Sequence, residues 1–194
     1  MDECFWENST PKTGEMRCLV QFSQEFHWVN FRFAELDALL ILSGIEPAAA
    51  YTFDETKNGT DNAFLCIDLP GWDVARSMCE RSILIKAIYE LWCIESTLGE
   101  LIESAKLLPV SFLEPYMSLE KSWSVNVDTH CKSYSMSEKE FCRNQFRFLD
   151  FKGKVSLGDA DVQLWILLDH SLQKNDGEVI AHNSFRRGSF RIIS

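Results

Sequence analysis

Hydrophobic positions change period several times along the chain, and each change marks an element. Residues 1–15 are polar and aperiodic, and RCLVQFS then reads as a strand from Arg17. NFRFAELDALLILSG carries Phe33, Leu36 and Leu40 at helical spacing, with Asn30 as the capping residue and Gly44 as the stop. AAAYTFDE reads as a strand, KNGTDN as a turn around Asn58-Gly59, and AFLCIDLP as the returning strand of a hairpin. After Pro70-Gly71, WDVARSMCERS is a helix with Val74, Ala75 and Met78 on its apolar side. ILIKAIYELW switches to period two, with Ile83, Ile85, Ala87, Tyr89 and Leu91 on one face and Leu84, Lys86, Ile88, Glu90 and Trp92 on the other. The order strand, helix, strand, strand, helix, strand over residues 17–93 is the ferredoxin-like βαββαβ arrangement.

A second series begins at Thr97, which forms a capping-box pattern with Glu100. Leu98, Leu101, Ile102, Ala105 and Leu108 make an apolar helical stripe that Pro109 ends. FLEPYM reads as a short helical turn and SWSVNVDTHC as a strand. Ser135 with Glu138 is a second capping box, opening a helix expected to run to about Leu149. DVQLWILLDH fits a strand or a helix equally well. The expected fold class is α+β: a flexible extension over 1–15, a ferredoxin-like domain over 16–95, an α/β domain over 96–175, and a divergent or disordered tail over 176–194.

Composition narrows the function classes. At 46% hydrophobic residues, the 194-residue chain can bury a core. A formal net charge of −10 argues against indiscriminate coating of nucleic acid but leaves room for a local basic patch. Seven cysteines, with no C-x-x-C pair, give neither a zinc ribbon nor a thioredoxin motif. With no secretory signal, reduced thiols in a cytosolic or nuclear protein are expected, the cytoplasm first. No apolar run approaches a membrane span.

Chemical motifs are sparse. There is no G-x-S-x-G elbow and no phosphate-binding loop, and His27, His130, His170 and His182 lie far apart. Asp159 and Asp161 are two acids only, too few to make a metal site. In EPY, residues 114–116, Pro115 reads as a helical-turn residue. No catalytic, cofactor or metal residue is assigned. One feature stands out: Lys139, Arg143 and Arg147 recur every four residues on the helix after Ser135, and Lys152 and Lys154 follow on either side of Gly153. From Lys132 to Val155 six cations face three acids, a local +3 in an acidic chain. Such a cluster suits a phosphate backbone, although composition alone favours a solvated helix face paired with Glu138 and Glu140.

FRFAELDALLILSGI, RSILIKAIYELW and FLDFKGKVSL resemble, in order and approximate spacing, the amino-terminal half of the catalytic subunit of the eukaryotic tRNA (guanine(10)-N2)-methyltransferase family. The resemblance spans about Arg17 to His170, and RSILIKAIYELW is its most specific part. It implies a ferredoxin-like domain followed by a THUMP domain, an RNA-binding module that docks tRNA. The implied phosphate contacts are Lys139, Arg143, Arg147, Lys152 and Lys154, with Arg81 and Lys86 as weaker ones. Lys86 also has the option of pairing with Glu90, while Trp92 and Trp123 are expected in the core. In that family a separate downstream domain uses S-adenosylmethionine, and a small zinc-containing activator protein binds it. The sequence ends at Ser194 without those motifs, so this chain is expected to bind tRNA, to hold no cofactor, to leave the activator unbound and to perform no chemistry alone. The tail with Arg186, Arg187 and Arg191 matches the family poorly and is read as a foreign or disordered ending in preference to a divergent last strand. Two alternatives remain open: a fragment of the active methyltransferase, and a protein-interaction module whose acidic surface binds a basic partner.

Overall fold

A computed structural model describes residues 14–23, 31–52, 63–95, 97–130 and 132–169, and the backbone of Gly188–Arg191. The chain divides into two compact units, Met1–Ile88 and Tyr89–Ser194. The division falls inside a strand, whereas the sequence reading placed it after residue 95.

The first unit runs β1 (Met16–Phe22), α1 (Arg32–Leu42), α2 (Pro47–Ala50), β2 (Phe64–Leu69), α3 (Trp72–Arg81) and the start of β3 (Ile85–Cys93). β1 lies between β2 and β3. It pairs antiparallel with β2, from Met16 opposite Leu69 to Gln21 opposite Phe64. A bidentate pair marks the register: Arg17 Nε and Nη2 donate to the two oxygens of Asp68 at 2.9 and 3.0 Å. Leu36 and Leu40 of α1, Ala75 and Met78 of α3, and Val20, Leu65, Ile67 and Ile88 of the strands close one core. Truncating a fully buried leucine such as Leu40 to alanine costs about 2–5 kcal/mol.

Gly44 ends α1 as expected. It sits in the left-handed region at φ 76°, and Gly44 N–H and Ile45 N–H donate to the carbonyls of Ile41 and Leu40, both at 2.9 Å, in the Schellman pattern. The other end has Phe31 at the cap, with no side-chain bond; Asn30 lies outside the described residues. Glu35 fastens the turn between α3 and β3. Its carboxylate accepts from Ser82 Oγ at 2.6 Å, Ile83 N–H at 2.8 Å and Leu84 N–H at 2.9 Å.

One expectation fails here. AAAYTFDE does not begin as a strand: Pro47–Ala50 is a helical turn with Pro at its first position, where the missing N–H costs nothing. Three alanines after it favour helix over strand. Tyr51 and Thr52 follow outside any strand, and the rest of that segment and the turn over 57–62 lie outside the described residues.

The second unit contains the end of β3, α4 (Leu98–Lys106), α5 (Val110–Leu113), a 3₁₀ turn over Glu114–Tyr116, β4 (Trp123–His130), α6 (Met136–Asn144), a second 3₁₀ turn over Arg147–Leu149, β5 (Val162–Asp169) and β6 (Gly188–Arg191). Its strand order is β3-β6-β5-β4. β4 and β5 are parallel, from Trp123 opposite Val162 to His130 opposite Asp169; α6 rides on the long connection that parallel pairing requires. β6 runs antiparallel to both β5 and β3, so part of the segment read as a foreign or disordered tail is a strand. DVQLWILLDH, ambiguous in sequence, is the strand β5.

Leu101 and Ala105 of α4, Val127 of β4, Cys142 of α6, Phe146, Leu149 and the inward residues of β5 form the second core. Trp92 packs on Phe112 and Tyr116, with ring centroids 5.1 Å apart in both cases. Pro115 is a turn residue, as expected, in the 3₁₀ turn that delivers Tyr116 to this core. Glu90 is buried here and accepts a hydrogen bond from the Tyr116 hydroxyl, so the Lys86–Glu90 option is not the one taken. Burial pushes the Glu90 carboxyl above its usual range, opposed in part by the bonds from Tyr116 and Trp92. Cys18, Cys66, Cys79, Cys93 and Cys142 are free thiols. No helix among the described residues is long and apolar enough to cross a membrane.

Candidate nucleic-acid interface

Five of the seven cations singled out in the sequence fall in the second unit. α6 carries the first two. Its capping box forms as expected: the Ser135 hydroxyl accepts from Glu138 N–H at 3.3 Å, and the Glu138 carboxylate accepts from Ser135 N–H at 2.7 Å. The Ser135 hydroxyl also donates to the Glu138 carboxylate at 2.7 Å, and this bond, with that from Ser135 N–H, holds the carboxyl below its usual range. Cys142 is buried, and Lys139 and Arg143 flank it on the half-buried side of the helix. The open side shows Met136, Phe141, Glu140 and Asn144 instead. Arg143 Nε donates to the carbonyl of Val125 at 2.9 Å, so this guanidinium covers the backbone of β4, the edge strand.

The expected helix to Leu149 stops at Asn144. Gln145 and Phe146 N–H groups bond three residues back, to Cys142 and Arg143, both at 3.2 Å. Arg147–Leu149 is then a 3₁₀ turn, and Asp150 follows in the left-handed region at φ 45°. Asn144, Phe146 and Phe148 are weak helix formers, and Phe146 and Leu149 are buried by tertiary packing. Arg147 is therefore exposed beyond the helix and does not continue the Lys139–Arg143 stripe. Lys106, at the end of α4, lies 5.8 Å from the centre of the neighbouring Phe148 ring.

The FKGK segment is pinned to the start of β4. Trp123 N–H donates to the Lys154 carbonyl and Ser156 N–H to the Trp123 carbonyl, both at 2.9 Å, making a parallel bridge between Trp123 and Val155. The Trp123 indole N–H donates to the Gly153 carbonyl at 2.8 Å. Its ring stacks on Phe151, with centroids 5.1 Å apart and planes 24° apart. Gly153 is where two backbones touch: a Cβ there would stand 1.7 Å from the Lys121 carbonyl oxygen. The glycine is required for space, because its φ lies outside the left-handed range. Lys152 and Lys154 are exposed on either side of it. Lys152 makes a contact with the Asp150 carboxylate, while Lys154 has no ion pair among the described residues.

This close approach brings in Lys121, which the sequence reading missed. Its ammonium donates to the Pro115 carbonyl at 2.7 Å. Next to it, Ser122 and Asp161 clasp the first residues of the parallel pair: Ser122 N–H and Oγ donate to Asp161 Oδ2 at 2.8 and 2.6 Å, and Asp161 N–H returns to Ser122 Oγ at 3.0 Å. The Ser122 bonds, aided by the Lys121 charge, hold the Asp161 carboxyl below its usual range. The available signal for Lys121 was topological: parallel strands start at the same end, so the residue before β4 must lie near the loop leading into β5.

Arg81 and Lys86 belong to the first unit. Arg81 closes α3, where a cation suits the helix dipole. Lys86 is the exposed position in the otherwise buried first half of β3. No cluster of three or more His, Cys, Asp or Glu side chains able to hold a metal comes together among the described residues. Trp92 and Trp123 are both packed against their own unit.

These features define an α+β chain whose second unit presents a pinned loop of cations. Residues 16–186 match the family model described as Tmrp11 THUMP N-terminal domain, and the chain belongs to that family. Among its relatives is the tRNA (guanine(10)-N(2))-methyltransferase TRMT11 of Gallus gallus, 28% identical over 160 residues, a match covering 82% of this chain and 33% of that protein. The proteins of the same name from Mus musculus and Homo sapiens are 29% identical over 169 residues, covering 87% of this chain and 35% of each. The chain thus spans about a third of the length of these relatives. Among solved structures, TrmN from Thermus thermophilus shares the fold at a TM-score of 0.50 and 14% identity, covering 90% of this chain and 45% of that one.

Proposed function

We propose that this chain binds tRNA through the second unit, with Lys152, Lys154, Lys121 and Arg147 as its phosphate contacts. The observation that carries this reading is the pinned FKGK loop. Cations on a rigid loop contact phosphates without first losing loop entropy. Family membership supports the same reading, and so do relatives whose names state that they act on tRNA. Lys139 and Arg143, half-buried on α6, add to the local field more than to direct contact. Arg81 and Lys86 contribute least, because residues 1–88 hold 7 Lys and Arg against 14 Asp and Glu. Methyl transfer, S-adenosylmethionine and any activator protein are assigned in this reading to parts of the relatives beyond the matched third.

The test is tRNA binding by fluorescence anisotropy across a salt series. Affinity should fall as salt rises, with a log–log slope of roughly 0.7–0.9 per phosphate contact. The double variant Lys152→Glu, Lys154→Glu should bind more weakly and lose about 1.4–1.8 from that slope. A folded chain that binds no tRNA at low salt would end this reading, as would an unchanged slope in the double variant. Transfer of a methyl group to tRNA by the purified chain would overturn the assignment of chemistry elsewhere.

A further inference from the structure

We propose that α1 and α3 of the first unit form a two-fold interface with a second copy of this chain. A groove of about 240 Å³ runs between these helices, with Leu39, Leu42, Val74 and Met78 along it and Asp73 and Arg81 at its rim. Leu42 is 68% exposed and its neighbour Ile41 62%, an apolar edge that one copy leaves in water.

The occupant follows from the charge order on α3. Asp73, Ser77 and Arg81 all line the groove at intervals of four, so they share one helix face. The acid and the base stand about 12 Å apart along the axis, with the small Ser77 midway. That stripe is self-complementary when reversed. Two copies of α3 crossing antiparallel at Ser77 set Asp73 of each against Arg81 of the other, as an isologous contact requires. Neither Asp73 nor Arg81 forms an ion pair within the chain among the described residues. The helix dipoles are antiparallel in the same arrangement, and each copy's Leu42 edge gains an apolar neighbour. The net charge of −7 over residues 1–88 of each copy opposes association at long range, and salt at a physiological level screens that repulsion over about 8 Å. The inference is independent of the tRNA reading and assigns Arg81 to a protein contact.

Sedimentation equilibrium of the full chain at roughly physiological salt tests it. A reversible monomer–dimer equilibrium is expected. Asp73→Arg and Arg81→Asp should each weaken it by about tenfold or more, since each replaces two attractions by two repulsions. The double variant Asp73→Arg, Arg81→Asp should return to within about threefold of the parent, because the swap restores the pairing only across a two-fold axis. Leu42→Glu, at an exposed position that does not threaten the fold, should also weaken the dimer. Circular dichroism confirms that each variant is folded. A chain that stays monomeric throughout, single variants that dimerise like the parent, or a folded double variant that fails to recover would each overturn the proposal.

Discussion

Replacing Gly153 by alanine tests the site at its tightest point. The new Cβ would lie 1.7 Å from the Lys121 carbonyl oxygen and 2.8 Å from its carbon, where ordinary contact begins at 3.4 Å. The obstacle is backbone, not the far end of a side chain, so the FKGK segment and the Lys121 segment must part by roughly 1.7 Å. Such a separation stretches the three bonds that pin the loop: Trp123 indole to Gly153, Trp123 N–H to Lys154, and Ser156 N–H to Trp123. At about 1 kcal/mol each, with up to another ~1 kcal/mol from the Trp123–Phe151 stack, the expected loss is about 3–4 kcal/mol. Urea unfolding followed by tryptophan fluorescence measures it, and Gly158→Ala is the control, because nothing lies within 4 Å of a Cβ there. Its effect should stay within about 0.5 kcal/mol. The same loosening should lower tRNA affinity at fixed salt, since Lys152 and Lys154 lose their fixed spacing. Equal stabilities for the two alanine variants would refute both the close approach and the pinned loop built on it.

Glu90→Gln probes the buried acid. A carboxyl whose folded pKa is raised favours folding most below its unfolded value of about 4.5, and that contribution is lost as pH rises through the folded value. The glutamine variant should flatten this decline in unfolding free energy between acid and neutral pH; an unchanged slope would count against it. Ser135→Ala should cost about 1 kcal/mol through loss of the α6 cap, read as a lower urea midpoint with an unchanged m-value. Arg143→Met should cost about 1–2 kcal/mol by leaving the Val125 carbonyl without its donor, while the salt slope of tRNA binding changes by less than for the lysine pair. A loss of slope equal to that of Lys152→Glu, Lys154→Glu would make Arg143 a direct phosphate contact.

Local signals in the sequence were reliable where one short segment decides the outcome. The α4 stripe of Leu98, Leu101, Ile102, Ala105 and Leu108, the Ser135–Glu138 box and the Gly44 stop all appear as read, because each depends on neighbours within a turn. The strand expected at AAAYTFDE failed at its start, where Pro47 and three alanines outweigh an apolar run. The basic stripe was legible as composition but not as geometry. Its cations were visible, yet the sequence could not show that α6 ends before Arg147, or that Arg143 turns its Nε to the sheet. The reason for Gly153 lies outside any local window: Trp123 and Gly153 are 30 positions apart, and the parallel bridge between Trp123 and Val155 brings them together. Glu90 left a trace, as the one acid on a face with Leu84, Ile88 and Trp92, but its bond to Tyr116 is tertiary.

The place of β6 bears on how this protein is made. Gly188–Arg191 comes after every other strand in the sequence but lies between β3 and β5 in the sheet. During synthesis β3 and β5 emerge before the strand that lies between them, so neither can pair with it until that segment leaves the ribosome. Each facing strand then offers an unpaired edge, the kind of surface that recruits stray strands. Cutting the chain before Gly188 would therefore remove the strand that joins β3 to β5, and aggregation of the nascent or shortened protein should be governed by how soon that strand arrives.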